Sequence, residues 1–317
     1  MQDKCINEFR MNFAKVYHSK ILPILKDYEK ERKKALRNAV LVSVLTFLCV
    51  AGVIIFFMSS DSDYDGVVFY SYSSMFAVVF AGVIAYSIYK YFQKRFERKL
   101  KGLLMPLLMP AFGDFVWDCS NVIGFQELKI SKLFPNFEEM KSDDAFVGSY
   151  KNVPIRILET CLTYETRDSE GRRQTHVEFK GVLIALDIPK KFTGHTIVKR
   201  RSLINTAPYS EVKLEDPDFS KKFYVSSNDQ VESRYLLTTA FMERYKNIQK
   251  AFNSDNICCS FINNSLLLGV SVNKDLFSLG SLVTPLTDTK QFTVFMNEII
   301  SIFELIEDLK LYQNTGL

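Results

Sequence analysis

The feature that most constrains this chain is the run from Ala39 to Met58, about 20 residues without a single charge. At 1.5 Å per residue a helix of that length spans the roughly 30 Å hydrocarbon core of a bilayer. A second charge-free run, Val67 to Tyr89, is softened by Ser71, Ser73 and Ser74 and has its apolar heart at Met75 to Ile88. A helix on the surface of a soluble core keeps a polar face, and neither run offers one. The sequence therefore predicts two transmembrane helices. About 38 mostly polar residues precede the first run and no small-residue cleavage pattern ends it, which argues against a removable signal peptide.

Basic residues set the expected orientation. Lys26, Lys30, Arg32, Lys33, Lys34 and Arg37 precede the first run, and Lys90, Lys94, Arg95, Arg98, Lys99 and Lys101 follow the second. The intervening loop has Asp61, Asp63 and Asp65 but no Lys or Arg. The positive-inside rule then places both termini in the cytoplasm. Tyr64, Tyr70 and Tyr72 suit one interfacial belt, and Tyr86, Tyr89 and Tyr91 the other. Ser73, Ala77, Ala81 and Ala85 recur every four residues and predict a narrow small-residue face for close helix approach. No ionisable residue interrupts either run, so the segment reads as an anchor rather than a proton or ion path.

Ile6, Phe9, Phe13, Val16 and Tyr17 repeat at helical spacing, as do Phe92, Phe96, Leu100, Leu103 and Leu107. These stripes suit either an antiparallel stalk beneath the membrane or, for the first, an in-plane interfacial helix. Pro106 and Pro110 are expected to break the second stripe, with residues 112–123 adding a helical turn or two. The expected organisation is an amphipathic helix over 1–38, a transmembrane hairpin over 39–91, a helical stalk over 92–125 and a cytoplasmic α+β domain over 126–317.

From Phe146 the period shifts to that of strands: 146–150, 153–163, 175–187, 195–199, 222–225, 257–262 and 265–272. Short connections such as Asn263-Asn264 predict an antiparallel sheet. Asp229 with Glu232 marks a helix start whose stripe is Val231, Tyr235, Phe241, Met242, Tyr245, Ile248 and Phe252. A last helix carries Phe292, Phe295, Met296, Ile299, Phe303, Ile306 and Leu309. The predicted fold class is α+β, with two long amphipathic helices on the sheet. A fragment beginning near Pro110 is expected to fold alone.

Several phrases occur together: Asp143-Asp144 ahead of Val147-Gly148-Ser149-Tyr150, Phe179-Lys180-Gly181-Val182-Leu183, and Asp218-Phe219-Ser220-Lys221-Lys222-Phe223-Tyr224-Val225 running into Asp229 to Leu237 and Phe241-Met242-Glu243-Arg244. Over about residues 100 to 315 this resembles the bacterial family called domain of unknown function 3137. The resemblance implies two N-terminal membrane helices, hence the bacterial inner membrane, and no catalytic residue. Some members are encoded near membrane proteins of the LemA type, so it also implies such a partner.

A formal charge of +4 is small for a nucleic-acid binder, and the six cysteines include no CxxC pair. Adjacent Cys258 and Cys259 on a strand leave opposite faces, which excludes a shared zinc site. The familiar phosphate-loop, dinucleotide, zinc-protease and serine-hydrolase motifs are missing, so no catalytic, cofactor or metal residue is assigned. His176 with Glu178, joined by Asp143, Asp144 or His195, is the constellation weighed for acid–base work. Asp143 and Asp144 are expected to cap a turn, Arg234 and Arg244 to pair with Asp229, Glu232 or Glu243, and Trp117 to anchor the core or stalk. Three basic clusters, Arg172-Arg173, Lys190-Lys191 and Lys199-Arg200-Arg201, would face anionic lipid or an acidic partner if they share an edge. The expected function is a membrane-anchored interaction or scaffold module; the alternative is a tethered hydrolase near His176 and Glu178.

Overall fold

The computed structural model describes residues 2–60, 67–118, 120–188, 191–202, 207–252, 254, 256–273 and 276–309. In chain order the elements are α1 (Gln2–Val16), a π-helical turn (Tyr17–Ile21), α2 (Leu22–Ser60), α3 (Val67–Leu108), a 3-10 turn (Met109–Phe112), β1 (Val116–Asp118), α4 (Phe125–Ser131), β2 (Glu139–Tyr150), β3 (Val153–Arg167), β4 (Arg173–Asp187), β5 (Thr196–Arg200), α5 (Pro217–Lys222), β6 (Phe223–Ser227), α6 (Gln230–Leu236), α7 (Thr239–Ala251), β7 (Ile257–Ile262), β8 (Ser265–Ser271) and α8 (Thr289–Leu309). Two compact units cut across the sequence segments expected above. One comprises Met1–Lys15, Leu108–Phe277 and Thr293–Leu317; the other comprises Val16–Leu107 and Ser278–Phe292.

The first unit is α+β, as the strand spacing predicts. Its eight strands run β1-β2-β3-β4-β8-β7-β5-β6, every neighbouring pair antiparallel. Two tight hairpins set the register. Asn263 and Asn264 adopt φ of 53° and 60° between β7 and β8, and Lys151 and Asn152 adopt 50° and 64° between β2 and β3. Two positive φ angles in a two-residue turn match the twist of the flanking strands. One face of the sheet buries Leu158, Phe179, Leu183, Ile197 and Leu267 against Ile123, Leu128, Leu133, Phe134 and Phe137. Gly269 permits this packing, since a Cβ there would lie 2.9 Å from Cys258 Sγ and 3.1 Å from Phe134.

Phe9 and Phe13 of the N-terminal stripe pack within this same unit. Phe9 stacks on Phe303 at 4.9 Å and lies 5.9 Å from Tyr150, while Phe13 lies 5.7 Å from Phe112. A fragment starting near Pro110 would lose these contacts. Three further expectations are corrected. Pro106 stands inside α3, in its last turn, where its missing N–H leaves the Gly102 carbonyl without an i+4 donor but the helix ends two residues later. Gly113, at φ 99°, ends the following 3-10 turn, and Val116 and Trp117 then pair with Val147 and Phe146 as β1 instead of adding helix. The helix from Asp229 breaks at Leu237 into α6 and α7, with Thr238 Oγ1 accepting from Phe241 N at 3.3 Å. Phe241, Met242 and Tyr245 are buried as expected, but Val231 and Tyr235 are exposed. The side chain of Ile248 lies outside the described residues.

The second unit contains the long helices α2 and α3. Among the described residues one helical stretch, Asn7–Phe56, is long and apolar enough to cross a membrane. The second expected span, from residue 67 to 89, falls partly on side chains outside the described residues, Ser73 and Ala77 among them. Ala39, Ala51 and Ala81 are buried, whereas apolar neighbours such as Leu41, Leu45 and Phe80 are exposed. Nearer the α2 N-terminus, Tyr28 lies 6.1 Å from Phe96, and Tyr17 lies 5.0 Å from Phe292. Arg32 and Lys101, counted above among the orienting flanks, are instead buried at 5% and 4% exposure. Arg32 grips Glu29, and Lys101 lies 3.9 Å from Glu97, which accepts from Ser278 Oγ at 2.6 Å.

Candidate functional site

His176 and Glu178 both lie on β4, and His176 Nε2 and Glu178 Oε1 bond separate neighbours. The His176 ring stacks on its cross-strand partner Tyr164 at 5.3 Å, and its Nε2 is 2.7 Å from Thr166 Oγ1. Glu178 occupies a bulge, where Leu162 pairs with Phe179 but Thr163 pairs with Val177. A bulge inserts one unpaired residue and re-aims its side chain. Glu178 Oε1 there accepts from the backbone N–H of Asn136 at 3.2 Å.

The residues weighed as their partners lie elsewhere. Asp143 and Asp144 are not in a turn: they form a second bulge, on β2 between Ser142 and Ala145. Asp143 is exposed, while buried Asp144 accepts from the Trp117 indole Nε1–H at 2.9 Å. His195 directly precedes β5, which lies three positions across the sheet from β4, a separation of about 14 Å at the usual strand spacing. Arg234 donates to the carbonyl of Lys213 at 3.4 Å rather than pairing with a carboxylate. Asp229 caps α6 through the N–H groups of Val231 and Glu232, and Glu232 turns outward to accept from Thr193 and Gly194.

The polar group that the fold does assemble surrounds His195, which is 4% exposed. Its Nε2 lies 3.1 Å from the carbonyl of Ser131 and 2.9 Å from Ser260 Oγ, and its Nδ1 lies 3.0 Å from Tyr209 Oη. A carbonyl only accepts, so the geometry assigns the proton to Nε2; Nδ1 then accepts from Tyr209. Lys132 Nζ donates to the same Tyr209 oxygen at 2.9 Å. Burial pushes the His195 pKa down, the Ser131 carbonyl opposes that shift, and the Lys132 charge adds to it. A neutral imidazole that donates from Nε2 has no lone pair there to take the Ser260 proton. Ser260 is therefore held, not activated.

On the same sheet face, Lys199 is half-buried and its pKa is pushed down by burial, with Cys258 and Glu178 drawing it back up. Burial lifts the Cys258 thiol to about 12 and raises Cys259 as well, so neither is a ready nucleophile. Among the described residues no group of three or more His, Cys, Asp or Glu is arranged to hold a metal. Sequence reasoning did not single out Tyr209, Ser260 or Lys132, because the end of α4, the segment at Tyr209 and strand β7 meet at His195 only in the folded chain.

Residues 177–311 match the family model described as Protein of unknown function (DUF3137), within the span where the sequence resemblance lies. No curated protein matches the chain. Among solved structures it is similar to the crystal structure of the mycobacterial trehalose monomycolate transport factor A, TtfA. That similarity is 9% identity over 54% of this chain and 75% of that one, with a TM-score of 0.30.

Proposed function

We propose that this member of the DUF3137 family is an α+β interaction or scaffold module held at the bacterial inner membrane by two transmembrane helices, with both termini in the cytoplasm. The observation that carries the reading is the apolar surface of α2 and α3. Val40, Leu41, Val42, Val44 and Leu45 are all exposed, and at 100° per residue they cover an arc of about 200°, more than half the helix circumference. Phe56 is 68% exposed on α2 and Phe76 70% exposed on α3. Soluble proteins rarely leave contiguous apolar surface of this extent in water, whereas a bilayer covers it on every side. The basic flanks and the acidic loop support cytoplasmic termini.

Because His176 Nε2 and Glu178 Oε1 bond different neighbours, Thr166 and Asn136, the interaction reading is favoured over a tethered hydrolase. A LemA-type membrane protein is the partner class that the family resemblance implies. The test is capture of the tagged full chain from detergent-solubilised membranes. The proposal expects a membrane protein to co-purify in near-stoichiometric amount. Recovery of the chain alone, with a hydrolytic activity abolished by His176→Ala, would overturn it.

A further inference from the structure

The charge of this chain is concentrated where the long helices leave their apolar stretches. Residues 26–37 hold six basic and three acidic residues and residues 90–101 hold six and one, a net +8 in a chain whose formal charge is +4. The remainder is thus net −4. In the α+β unit several basic residues pair locally: Arg172 with Asp168 at 2.9 Å, Arg173 with Glu165 at 3.6 Å, Arg156 with Glu127 at 2.8 Å and Arg201 with Glu211 at 2.5 Å. Lys191 follows the end of β4 opposite the Arg172-Arg173 hairpin tip, and Lys190 lies outside the described residues.

The helices differ. Once Arg32 and Lys101 are set aside with their carboxylates, the other ten flanking basic residues are exposed, and none forms an ion pair among the described residues. On α2 the exposed set is Lys26, Lys30, Lys33, Lys34 and Arg37, at spacings of 4, 3, 1 and 3. At 100° per residue these fall within an arc of about 100°, one face of the helix. Leu25, Arg32 and Ala39 occupy the buried face. This is a continuous basic stripe whose upper end, Arg37, stands three residues before Val40, where exposed apolar surface begins. On α3, Lys90, Lys94 and Arg95 follow Tyr89 directly.

We infer that Lys33, Lys34 and Arg37 of α2 with Lys90, Lys94 and Arg95 of α3 form a collar that binds anionic phospholipid headgroups. The inference rests on the membrane reading above. These six residues lie within about 10 Å of the ends of the apolar runs at the helical rise, the depth of the headgroup layer plus the reach of a Lys or Arg side chain. Lipid phosphates are the anions that a bilayer presents at this level, and several cations within a Debye length of them act together. An acidic protein docking on the stripe would not need the six residues nearest the apolar boundary more than Lys26 and Lys30.

The experiment titrates the purified full chain, in neutral detergent, with phosphatidylglycerol or phosphatidylcholine of matched acyl chains and counts bound lipid by native mass spectrometry. At low salt phosphatidylglycerol is expected to bind about tenfold more tightly, a preference that salt erodes. Lys33→Gln with Lys34→Gln and Arg37→Gln should remove most of that preference, as should the matching triple change at Lys90, Lys94 and Arg95. Arg172→Gln with Arg173→Gln should leave it intact, and thermal unfolding of each variant confirms that it is folded. Equal binding of the two lipids, or a preference unmoved by both triple changes or lost equally by Lys26→Gln with Lys30→Gln, would overturn the collar. If the chain nonetheless stays in alkali-washed membranes, the collar fails and the anchor stands; if it washes off, both fail.

Discussion

Glu29 and Arg32, one turn apart on α2, meet in a two-pronged pair, with Arg32 Nη2 2.6 Å from Glu29 Oε1 and Nε 2.9 Å from Oε2. The same two side chains hold a distant stretch of backbone. Arg32 Nη1 donates to the carbonyl of Leu282, and Glu29 Oε2 accepts from the N–H of Leu286 at 3.1 Å. The Arg32 hydrogen bonds keep the Glu29 carboxyl below its ordinary pKa, against the opposing effect of burial.

Removing one partner from a buried pair leaves the other charge uncompensated, at a cost of about 3 kcal/mol or more. Arg32→Ala is therefore expected to lower the thermal stability of the detergent-solubilised chain and to open residues 278–292 to limited proteolysis. Glu29→Gln should do less, because an amide oxygen still accepts from Leu286. Unchanged cleavage in both variants would show that the pair does not hold the segment.

This pair also marks where the sequence was legible and where it was not. The apolar runs, the Asn263-Asn264 turn, the Asp229 cap and the antiparallel strands each follow from local periodicity or turn chemistry, and each is present. Arg32 and Lys101 read locally as two more flanking cations; their burial depends on residues 278–286, some 180 to 250 positions along the chain. The α6–α7 break was hidden because Val231 and Tyr235 keep the helical period of Phe241 and Tyr245 while facing solvent. Asp144 read as a turn residue because the extra residue in β2 is visible only against its partner β3. The His195 group was invisible too, its members coming from the end of α4, the segment at Tyr209 and strand β7, which sequence spacing does not connect.

His195 gives a pH signature. Its folded pKa lies below the unfolded value of about 6.5, so between the two the unfolded state binds more protons. The contribution is fully present above about pH 6.5 and is lost as pH falls from there toward the folded pKa. Thermal midpoints measured downward from pH 7.5 should decline through this window, well above the range in which Asp114 and Asp216, both held below the ordinary carboxylate pKa, titrate. His195→Gln should be less stable at pH 7.5 and should flatten the decline. An unaltered slope in that variant would contradict the assignment.

Trp117 is the only tryptophan in the chain, so its bond to Asp144 has a private readout. Asp144→Ala leaves the half-buried indole N–H without this acceptor, at a cost of about 1 to 3 kcal/mol. Asp144→Asn preserves an acceptor oxygen. Fluorescence emission should shift in the alanine variant and shift less in the asparagine one, with stability following the same order. Identical spectra and midpoints in all three proteins would remove the bond from the account.

The most direct test of the membrane anchor is alkaline carbonate extraction of cells expressing the full chain, followed by centrifugation and blotting. Carbonate strips proteins held by charge or by a soluble partner but leaves spanning helices in the bilayer. The account predicts that the chain stays in the membrane pellet and is released by detergent. Recovery of most of it in the carbonate supernatant would show that the apolar surfaces of α2 and α3 are covered by something other than lipid, and would contradict the anchor.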